Sequence, residues 1–243
     1  RLRKPHESAT SRAVSDSSPI LLFMPAYNEE EAVANCIARV PPTVHGRSVQ
    51  IVIIDDGSTD ATVSRAIAAG ADVVELGENQ GLGAAVRVGL RIGVDREVAA
   101  VVFCDADGEY PPEEIGNVVA PLLEGRADYV IGSRFLGRID HMRPHRRFGN
   151  HVLTWCLQLM ARQRITDGQS GYRALSLDAA RSAEIIHDFN YAQVLTLDLL
   201  AKGFRYREVP ISYRFRTTGE SFVKLGSYLR NVVPAVYREI NAA

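Results

Sequence analysis

The sequence predicts an α/β fold in which a mostly parallel sheet is flanked by helices within one domain. Short apolar runs alternate with segments of helical pattern from Ile20 to Ile131, which is typical of strands joined by helical crossovers. Three of these runs end in acidic motifs, PAYNEE, DDGSTD and CDADGE. Right-handed crossovers bring such strand ends to one edge of the sheet, so we expect the three motifs to share one crevice.

Five apolar runs in the first half predict buried strands, at residues 20–24, 49–54, 71–76, 99–104 and 128–131. Helices are expected after the first four, opening near residues 25, 58, 78 and 111. The second half is less regular. We expect, in order, a basic loop at 138–147, a helix at 148–160, a turn at 167–173 leading into a short strand, a helix at 191–202, a strand at 206–213 and a terminal helix at 222–240.

Composition narrows the class of protein. The 243 residues are 46% hydrophobic with a net charge of −1, which fits a soluble globular domain and gives no global basic field for nucleic acid. Residues 1–18 are polar, basic and serine-rich, and we interpret them as a disordered arm before a domain at 19–243. No apolar stretch approaches the length of a membrane-spanning helix, and no signal peptide is visible. Three widely spaced cysteines favour a reducing compartment, and we expect a cytoplasmic protein.

The motif Asp105-Ala106-Asp107 follows the apolar run at 99–104 directly. Two acids after a strand are often only a solvated turn. Buried acids are costly unless paired or metal-bound, however, and ligands bind at the carboxyl ends of such strands. Because carboxylates suit Mg²⁺ or Mn²⁺, we predict a metal-diphosphate site here, with Glu109 as a third carboxylate.

Asp55 and Asp56 end a second buried run, where a helix cap is the simplest interpretation. Two adjacent acids exceed what a cap needs. A carboxylate at this edge can accept a hydrogen bond from a base N–H or a ribose hydroxyl. Tyr27 and Glu29, after the first run, are candidates to stack on and bond the same base. Gly81-x-Gly83 resembles half of a phosphate-binding turn, but the full Rossmann pattern is not completed.

Basic residues concentrate in the second half of the chain. Several stand beside Gly or Ser, as in Gly132-Ser133-Arg134 and Ser170-Gly171-Tyr172-Arg173. A solvated face is the ordinary explanation for each one. Arginine with hydroxyls and backbone N–H groups also holds phosphates, so we infer a second anion site. The cationic set is Arg134, Arg143, Arg146, Arg147, Arg173, Arg214, Arg216 and Lys224.

The segments 148–160 and 222–240 mix apolar with basic residues. Such helices usually pack on the core, and the sequence favours that interpretation. The alternative is a helix lying in a membrane interface.

Eight motifs in order resemble the family 2 glycosyltransferases of GT-A fold, over residues 20 to 225. They are PAYNEE, DDGSTD, NQGLGAA, DADGE, GSRF, DGQSGYRA, EVPISY and RTTGES. The similarity is greatest to the dolichol- and polyprenyl-phosphate mannosyl- and glucosyltransferases. The resemblance implies a donor half at about 19–109 and an acceptor half at about 110–243.

The resemblance also implies roles for individual residues. Nucleotide-sugar binding falls to Pro25, Ala26, Tyr27, Glu29, Asp55, Asp56, Gln80, Gly81, Asp105 and Ala106. Metal binding falls to Asp105, Asp107 and Glu109, where relatives often have Gln at the last position. Acceptor binding falls to Ser133, Arg134, Arg143, Arg147, Arg173, Arg216 and Ser221. The catalytic set is Asp105, Asp107 and Arg216.

Two departures from the family pattern bear on the acceptor. Relatives often carry an acid in the middle of the motif before the last strand, whereas here the segment reads AQVLTLDLLAKG with Asp198 as its only acid. The C-terminal membrane helices of many relatives are also absent, which suggests a soluble or peripheral enzyme at the cytoplasmic face of a membrane. The QxxRW motif of processive relatives is missing as well, which argues against polymer synthesis.

The expected activity is inverting, metal-dependent transfer of a sugar from GDP-mannose or UDP-glucose to a polyprenyl or dolichyl phosphate. A hydroxyl acceptor needs a general base, and only Asp167 and Asp198 offer one. A phosphate monoester needs none, because its second pKa is about 6. Two alternatives stay open: a soluble enzyme with a small hydroxyl or phosphorylated acceptor, and a nucleotide-sugar-binding domain without turnover. The sequence leaves open the donor base, the sugar and the oligomeric state.

Overall fold

A mixed sheet forms the centre of the computed structural model, which describes residues 15, 17–185 and 191–214. Its strands within those residues are β1 Ile20–Ala26, β2 Thr43–Val44, β3 Arg47–Asp55, β4 Asp72–Glu75, β5 Ala100–Phe103, β6 Tyr129–Ser133, β7 Arg173–Leu175 and β8 Tyr206–Pro210. The strand order is β2-β3-β1-β5-β7-β6-β8, and β4 also pairs with β3. Parallel pairing joins β1 to β3 and β5, β3 to β4, and β6 to β8; β7 runs antiparallel between β5 and β6.

Helices cover both faces of this sheet. They are α1 Val33–Ala38, α2 Thr62–Ala68, α3 Leu82–Asp95, α4 Ile115–Leu123, α5 Pro144–Ala161, α6 Leu177–Ser182 and α7 Tyr191–Ala201. Because side chains alternate along a strand, β1 sends Leu22 and Met24 toward α1 and α4, and Leu21 and Phe23 toward α3 and α7. The α/β class and the mostly parallel sheet are therefore confirmed.

The first helix begins later than the sequence pattern predicts. Residues 27–32 form a turn, and α1 starts at Val33. The backbone N–H groups of Asn28 and Glu29 donate to Ser58 Oγ at 2.9 Å and Thr62 Oγ1 at 2.8 Å. These long-range bonds hold the PAYNEE segment against the DDGSTD segment, which satisfies the N–H groups outside a helix.

The second half differs from prediction in three places. Helix α5 begins at Pro144, inside the predicted basic loop, because proline suits the first turn of a helix. Helix α6 was not predicted; Ser176 caps it by accepting a hydrogen bond from the N–H of Ala179 at 3.2 Å. Strand β8 ends at Pro210 instead of residue 213.

Two predicted segments cannot be compared with the structure. Most of the arm at 1–18 and the whole terminal helix at 222–240 lie outside the described residues. Among the residues that are described, no helix has both the length and the apolar character needed to cross a bilayer.

Candidate active site

The carboxyl ends of β1, β3 and β5 meet at one edge of the sheet, as the alternation predicts. Ala26 pairs with Asp55 in register, and the N–H of Asp56 donates to the carbonyl of Ala26 at 2.9 Å. The N–H of Ala106 donates to the carbonyl of Pro25 at 3.4 Å. The three acidic motifs therefore line one crevice.

Asp56 holds the glycine-rich loop. Its Oδ1 accepts from the N–H of Gln80 at 2.7 Å, and its Oδ2 accepts from the N–H of Gly81 at 2.9 Å. The backbones of Gly57 and Glu78 also lie close together here, since a Cβ on Gly57 would be 2.7 Å from the Glu78 backbone. Each carboxylate oxygen of Asp56 thus accepts one backbone N–H group of the loop, and the direct contact of Asp56 with the nucleotide stays a prediction.

Asp55 has one oxygen in use and one that is not. Its Oδ2 accepts from the N–H groups of Gly57 at 3.2 Å and Ser58 at 3.0 Å. Its Oδ1 is buried and has no hydrogen-bond partner among the described residues. A buried acceptor left unpaired is costly, so this oxygen is suited to a ligand N–H or O–H.

Tyr27 and Glu29 follow β1 at the same edge, and both are half-buried. The negative charge of Glu29 is among the causes that raise the pKa of Asp105. Glu29 therefore lies within electrostatic range of the motif after β5, and its contact with the base stays a prediction.

Asp105 lies two residues beyond β5 and is partly buried. Burial raises its pKa well above the ordinary range, and the negative charges of Asp107 and Glu109 raise it further. Within the described part of the chain no group donates a hydrogen bond to its carboxylate. Gly171 packs closely against it, because a Cβ there would lie 2.6 Å from Asp105 Oδ2. A cation bound beside this carboxylate would therefore stabilise its ionised form.

Glu109 does not join Asp105 and Asp107 as a third ligand. Its Oε2 accepts from the Tyr213 hydroxyl at 2.7 Å, and its Oε1 accepts from Arg146 Nη1 at 3.2 Å. Over the described residues, no three His, Cys, Asp or Glu side chains are grouped to hold one ion. The prediction of a three-carboxylate site therefore needs correction, because Glu109 is turned toward the acceptor half.

Ser133 and Arg134 are buried parts of the framework. Ser133 Oγ shares a hydrogen bond of 2.6 Å with Thr166 Oγ1. Arg134 forms a bidentate ion pair with Asp167, with Nε and Nη2 each 2.7 Å from a carboxylate oxygen. Both were predicted to bind the acceptor directly; in the structure they fix the loop that carries Gly171 beside Asp105.

Arg173 is also a structural residue, contrary to its predicted role in acceptor binding. Its side chain is fully buried. Nε donates to the carbonyl of Ser170 at 2.9 Å, Nη2 to the carbonyl of Gly168 at 3.0 Å, and Nη1 to Thr196 Oγ1 at 3.0 Å. An acceptor phosphate therefore has no access to this guanidinium.

The remaining predicted acceptor residues have two different positions. Arg143 and Arg147 are exposed at the start of α5. Arg143 lies three residues before, and Arg147 one residue after, the Arg146 that contacts Glu109. Arg216 and Ser221 lie outside the described residues. Arg143 and Arg147 are therefore the members of the predicted acceptor set that are exposed among the described residues.

Two tyrosines of the site were missed by sequence reasoning. Tyr110 accepts a hydrogen bond from the N–H of Gly171 at 2.8 Å, and its ring meets that of Tyr213 edge-on, with 5.8 Å between centroids. Tyr110 directly follows the DADGE motif and Tyr213 ends the EVPISY motif. These positions beside two of the motifs were the only features of the sequence that could have indicated a role for the two tyrosines in the site.

These features define an α/β enzyme with an acidic crevice at the carboxyl edge of its sheet, of the GT-A fold. The chain belongs to glycosyl transferase family 2, whose family model matches residues 22–180. It is a glycosyltransferase, which confirms the resemblance that the motifs indicate.

Three similar proteins illustrate the range of the family. An uncharacterized protein of Methanocaldococcus jannaschii is 33% identical over 79% of this chain and 80% of its own. The undecaprenyl-phosphate mannosyltransferase of Micrococcus luteus is 29% identical over 83% of this chain and 86% of its own. The glucosyl-3-phosphoglycerate synthase of Mycobacterium tuberculosis, solved with Mn²⁺, UDP-glucose and glycerol 3-phosphate, is 25% identical with a TM-score of 0.68, over 89% of this chain and 78% of that one.

Proposed function

We propose that this enzyme transfers a sugar from a nucleotide sugar to a polyprenyl phosphate, with a divalent cation and with inversion at the anomeric carbon. One observation carries the proposal most directly: the buried, unpaired Oδ1 of Asp55 at the carboxyl edge of the sheet. Asp55 lies at the same edge of the sheet as the Asp105 motif, because β1 pairs with β3 and the carbonyl of Pro25 accepts from the N–H of Ala106. A nucleoside diphosphate spans the two features, with its base at Asp55 and its diphosphate at Asp105.

The donor base is proposed to be uracil. Asp55 Oδ2 is committed to two backbone N–H groups, so one oxygen remains for the base. Uracil presents a single N–H on its pairing edge, whereas guanine presents two adjacent N–H donors. Leaving the second guanine donor without an acceptor costs about 1 to 3 kcal/mol. UDP-glucose is therefore the preferred donor and GDP-mannose the alternative, and UDP-glucose is also the donor bound by the Mycobacterium tuberculosis enzyme.

The residues present fit Mg²⁺ or Mn²⁺. Asp105 and Asp107 supply two carboxylates, and Mg²⁺ is commonly held by one or two carboxylates together with substrate phosphates. A third protein carboxylate is then unnecessary, which agrees with the engagement of Glu109 elsewhere. When bound, the cation neutralises the charge that develops on the departing diphosphate.

The acceptor is proposed to be a phosphate. The two acids that could serve a hydroxyl acceptor as general base are both engaged, since Asp167 pairs with Arg134 and Asp198 pairs with Lys202 at 2.7 Å. A phosphate monoester arrives ionised and attacks without a base. Arg143 and Arg147, with Arg216 and Ser221, are proposed to receive it, and Arg216 to act with Asp105 and Asp107 in catalysis. The name of the Micrococcus luteus relative supports a polyprenyl phosphate.

The site of action is proposed to be the cytoplasmic face of a membrane, because a polyprenyl phosphate is a membrane lipid. The cysteines support a reducing compartment, as Cys36, Cys104 and Cys156 are all free thiols.

A small phosphorylated acceptor is the second candidate. The observation that favours it is the structural likeness to an enzyme solved with glycerol 3-phosphate. Both candidates require a phosphate beside the basic residues at the start of α5, and they differ in whether a lipid chain is attached.

A donor screen by thermal unfolding tests the donor half of the proposal. Each nucleotide sugar is added with Mn²⁺, and a ligand at 100 times its Kd stabilises the fold by about 2.7 kcal/mol. We expect a shift with UDP-glucose that chelation of Mn²⁺ removes. A shift with GDP-mannose alone would contradict the uracil assignment, and no shift with any nucleotide sugar would contradict the proposed function.

A further inference from the structure

Helix α5 carries an exposed apolar stripe that the proposed reaction does not explain. Phe148, Val152, Trp155 and Leu159 are all exposed, Phe148 at 72% and Trp155 at 59%. At 100° per residue they fall within an arc of about 60°, and at 1.5 Å per residue the stripe is about 16 Å long. A continuous stripe of this kind marks an interaction surface, unlike scattered apolar residues.

The apolar face of α5 is turned toward solvent instead of toward the core. The residues that face the protein include Leu157, which packs near Gly168, and Thr154, whose Oγ1 accepts from the N–H of Gly168 at 3.1 Å. A surface helix of a globular protein ordinarily buries its apolar stripe. Here a threonine and a leucine anchor the helix, while two aromatic residues point outward.

Positive charge surrounds the stripe. The segment from residue 141 to 166 contains five arginines and no Asp or Glu. Arg143 and Arg147 are exposed at one end of α5, and Arg162 and Arg164 are exposed at the other. Trp, Phe and Leu on one face with arginines around them is the composition of helices that lie in a membrane interface. The charge complements the anionic headgroups of a bilayer.

The stripe begins at the end of α5 whose inner side contacts the candidate active site. Arg146 lies on the first turn of α5, two residues before Phe148 in the chain. It donates a hydrogen bond of 3.2 Å to Glu109, which is two residues after Asp107. A bilayer against the outward face of α5 therefore lies across the helix from Glu109, at the end of α5 that is nearest the candidate active site.

We propose that the outward face of α5 is a docking surface for anionic lipid bilayers, and that it holds the crevice against the membrane from which a lipid phosphate is drawn. The second clause rests on the proposed function, whereas the docking itself does not. This assignment reverses the expectation that the helix packs its apolar residues on the core.

The single tryptophan of the chain lies in the stripe, so its fluorescence reports the stripe directly. The full chain is titrated with vesicles of phosphatidylcholine alone and of phosphatidylcholine with phosphatidylglycerol, without nucleotide sugar or polyprenyl phosphate. We expect a blue shift and co-sedimentation with the anionic vesicles, and much weaker binding to the neutral ones. High salt weakens the binding, because it screens the arginines.

The test variant is Phe148→Ser with Leu159→Ser, which keeps Trp155 as the reporter. Withdrawing two large side chains from the apolar layer lowers vesicle partitioning about a hundredfold, at roughly tenfold for each. The matched control is Ile67→Ser, since Ile67 on α2 is 59% exposed, as Trp155 is. Its binding should equal that of the wild type. Equal urea midpoints would show that all three proteins are folded.

Three results would overturn the proposal. One is the absence of any spectral shift or sedimentation with anionic vesicles. Another is a tryptophan spectrum that is already blue-shifted and changes with protein concentration, which would assign the stripe to a second copy of the chain. The third is an unchanged blue-shifted spectrum that becomes red only when residues 215–243 are deleted, which would assign it to that segment.

Failure of the proposed function gives a different pattern. Transfer to a short-chain polyprenyl phosphate in detergent would be absent, while vesicle binding persists. Conversely, if only the docking proposal fails, the Phe148→Ser/Leu159→Ser variant transfers sugar in detergent at the wild-type rate and the wild type does not bind vesicles.

Discussion

Arg134 and Asp167 form a buried ion pair that ties the end of β6 to the loop before β7. Nε and Nη2 of Arg134 each donate at 2.7 Å to a carboxylate oxygen, and the N–H of Arg134 donates to Asp167 Oδ2 at 3.0 Å. Arg134 is 4% exposed and Asp167 is 0% exposed. The pair fixes the loop in which Gly171 lies against Asp105, so the geometry of the crevice depends on a contact outside it.

Breaking this pair is expected to destabilise the fold. Arg134→Met keeps the apolar stem and leaves the Asp167 carboxylate buried without its partner, which costs about 3 to 5 kcal/mol. Urea unfolding of the variant measures the loss. The control is Arg138→Met, because Arg138 is a surface residue whose pair with Asp140 contributes little. A loss no larger than that of the control would contradict the structural role assigned to Arg134.

Replacing Asp55 by Asn is expected to weaken donor binding. The Asn carbonyl oxygen would keep the contacts to Gly57 and Ser58, so its NH₂ group would face the donor N–H of the base. Placing the NH₂ group of Asn against the N–H of the base leaves two donors facing each other, which costs about 1 to 3 kcal/mol, or roughly 5- to 150-fold in Kd for UDP-glucose. Isothermal titration calorimetry measures this effect. The control is Asp95→Asn on the exposed end of α3, and equal affinities for the two variants would refute the role of Asp55.

Gly171→Ala is expected to impair metal-dependent donor binding more than stability. The added Cβ would lie 2.6 Å from Asp105 Oδ2, so the carboxylate must move. A displaced ligand should lower the affinity for UDP-glucose with Mn²⁺ at least tenfold, or about 1.4 kcal/mol, measured by calorimetry. The control is Gly149→Ala, because nothing lies within 4 Å of a Cβ at that helical position. An unchanged affinity in Gly171→Ala would show that Asp105 does not need its present position.

A pH-dependent contribution to stability is expected from Asp128. Hydrogen bonds from Arg205 lower the pKa of Asp128 in the folded state, with Nε and Nη2 both at 2.8 Å. A carboxylate with a depressed folded pKa stabilises the protein above its unfolded pKa of about 3.9 and loses that effect as the pH falls through the folded value. Because Arg205 is largely exposed, the effect is about 1 kcal/mol.

The measurement for Asp128 is urea unfolding of Asp128→Asn and the wild type across a pH series. The variant should be less stable at pH 7, and the difference should shrink as the pH drops below about 4. Asp95→Asn serves again as the exposed control. A difference between wild type and Asp128→Asn that is constant with pH would contradict the ion-pair explanation.

The sheet of the donor half could be predicted because its signals are local. Strands β1 and β5 and the second half of β3 are short apolar runs, and the acidic residues Glu29, Asp105 and Asp55 lie at their ends or within three residues of them. The convergence of Ala26, Asp55 and Asp105 follows from right-handed crossovers alone. Asp56 shows the limit of this reasoning, because its partners Gln80 and Gly81 are more than twenty residues away.

The acceptor half was harder to predict because its polar residues find partners across the fold. Arg173 and Arg134 look the same in sequence as the exposed Arg143, yet the first two are buried by contacts with distant loops. Glu109 is only two residues from Asp107, yet its carboxylate accepts hydrogen bonds from Arg146 and from Tyr213, which is 104 residues away. For the segment 148–160 the sequence favoured core packing over a membrane interface, because a periodic apolar stripe does not reveal what covers it.

The most direct test of the central claim is transfer of labelled sugar into a lipid-soluble product. The enzyme is incubated with Mn²⁺, undecaprenyl phosphate and labelled UDP-glucose, with labelled GDP-mannose in parallel, and each reaction is repeated with Asp107→Ala. We expect label in the organic phase from UDP-glucose, dependent on both Mn²⁺ and Asp107. The lipid acceptor would be contradicted if no label entered the organic phase under either donor, while a parallel reaction with glycerol 3-phosphate in place of undecaprenyl phosphate gave a labelled water-soluble product.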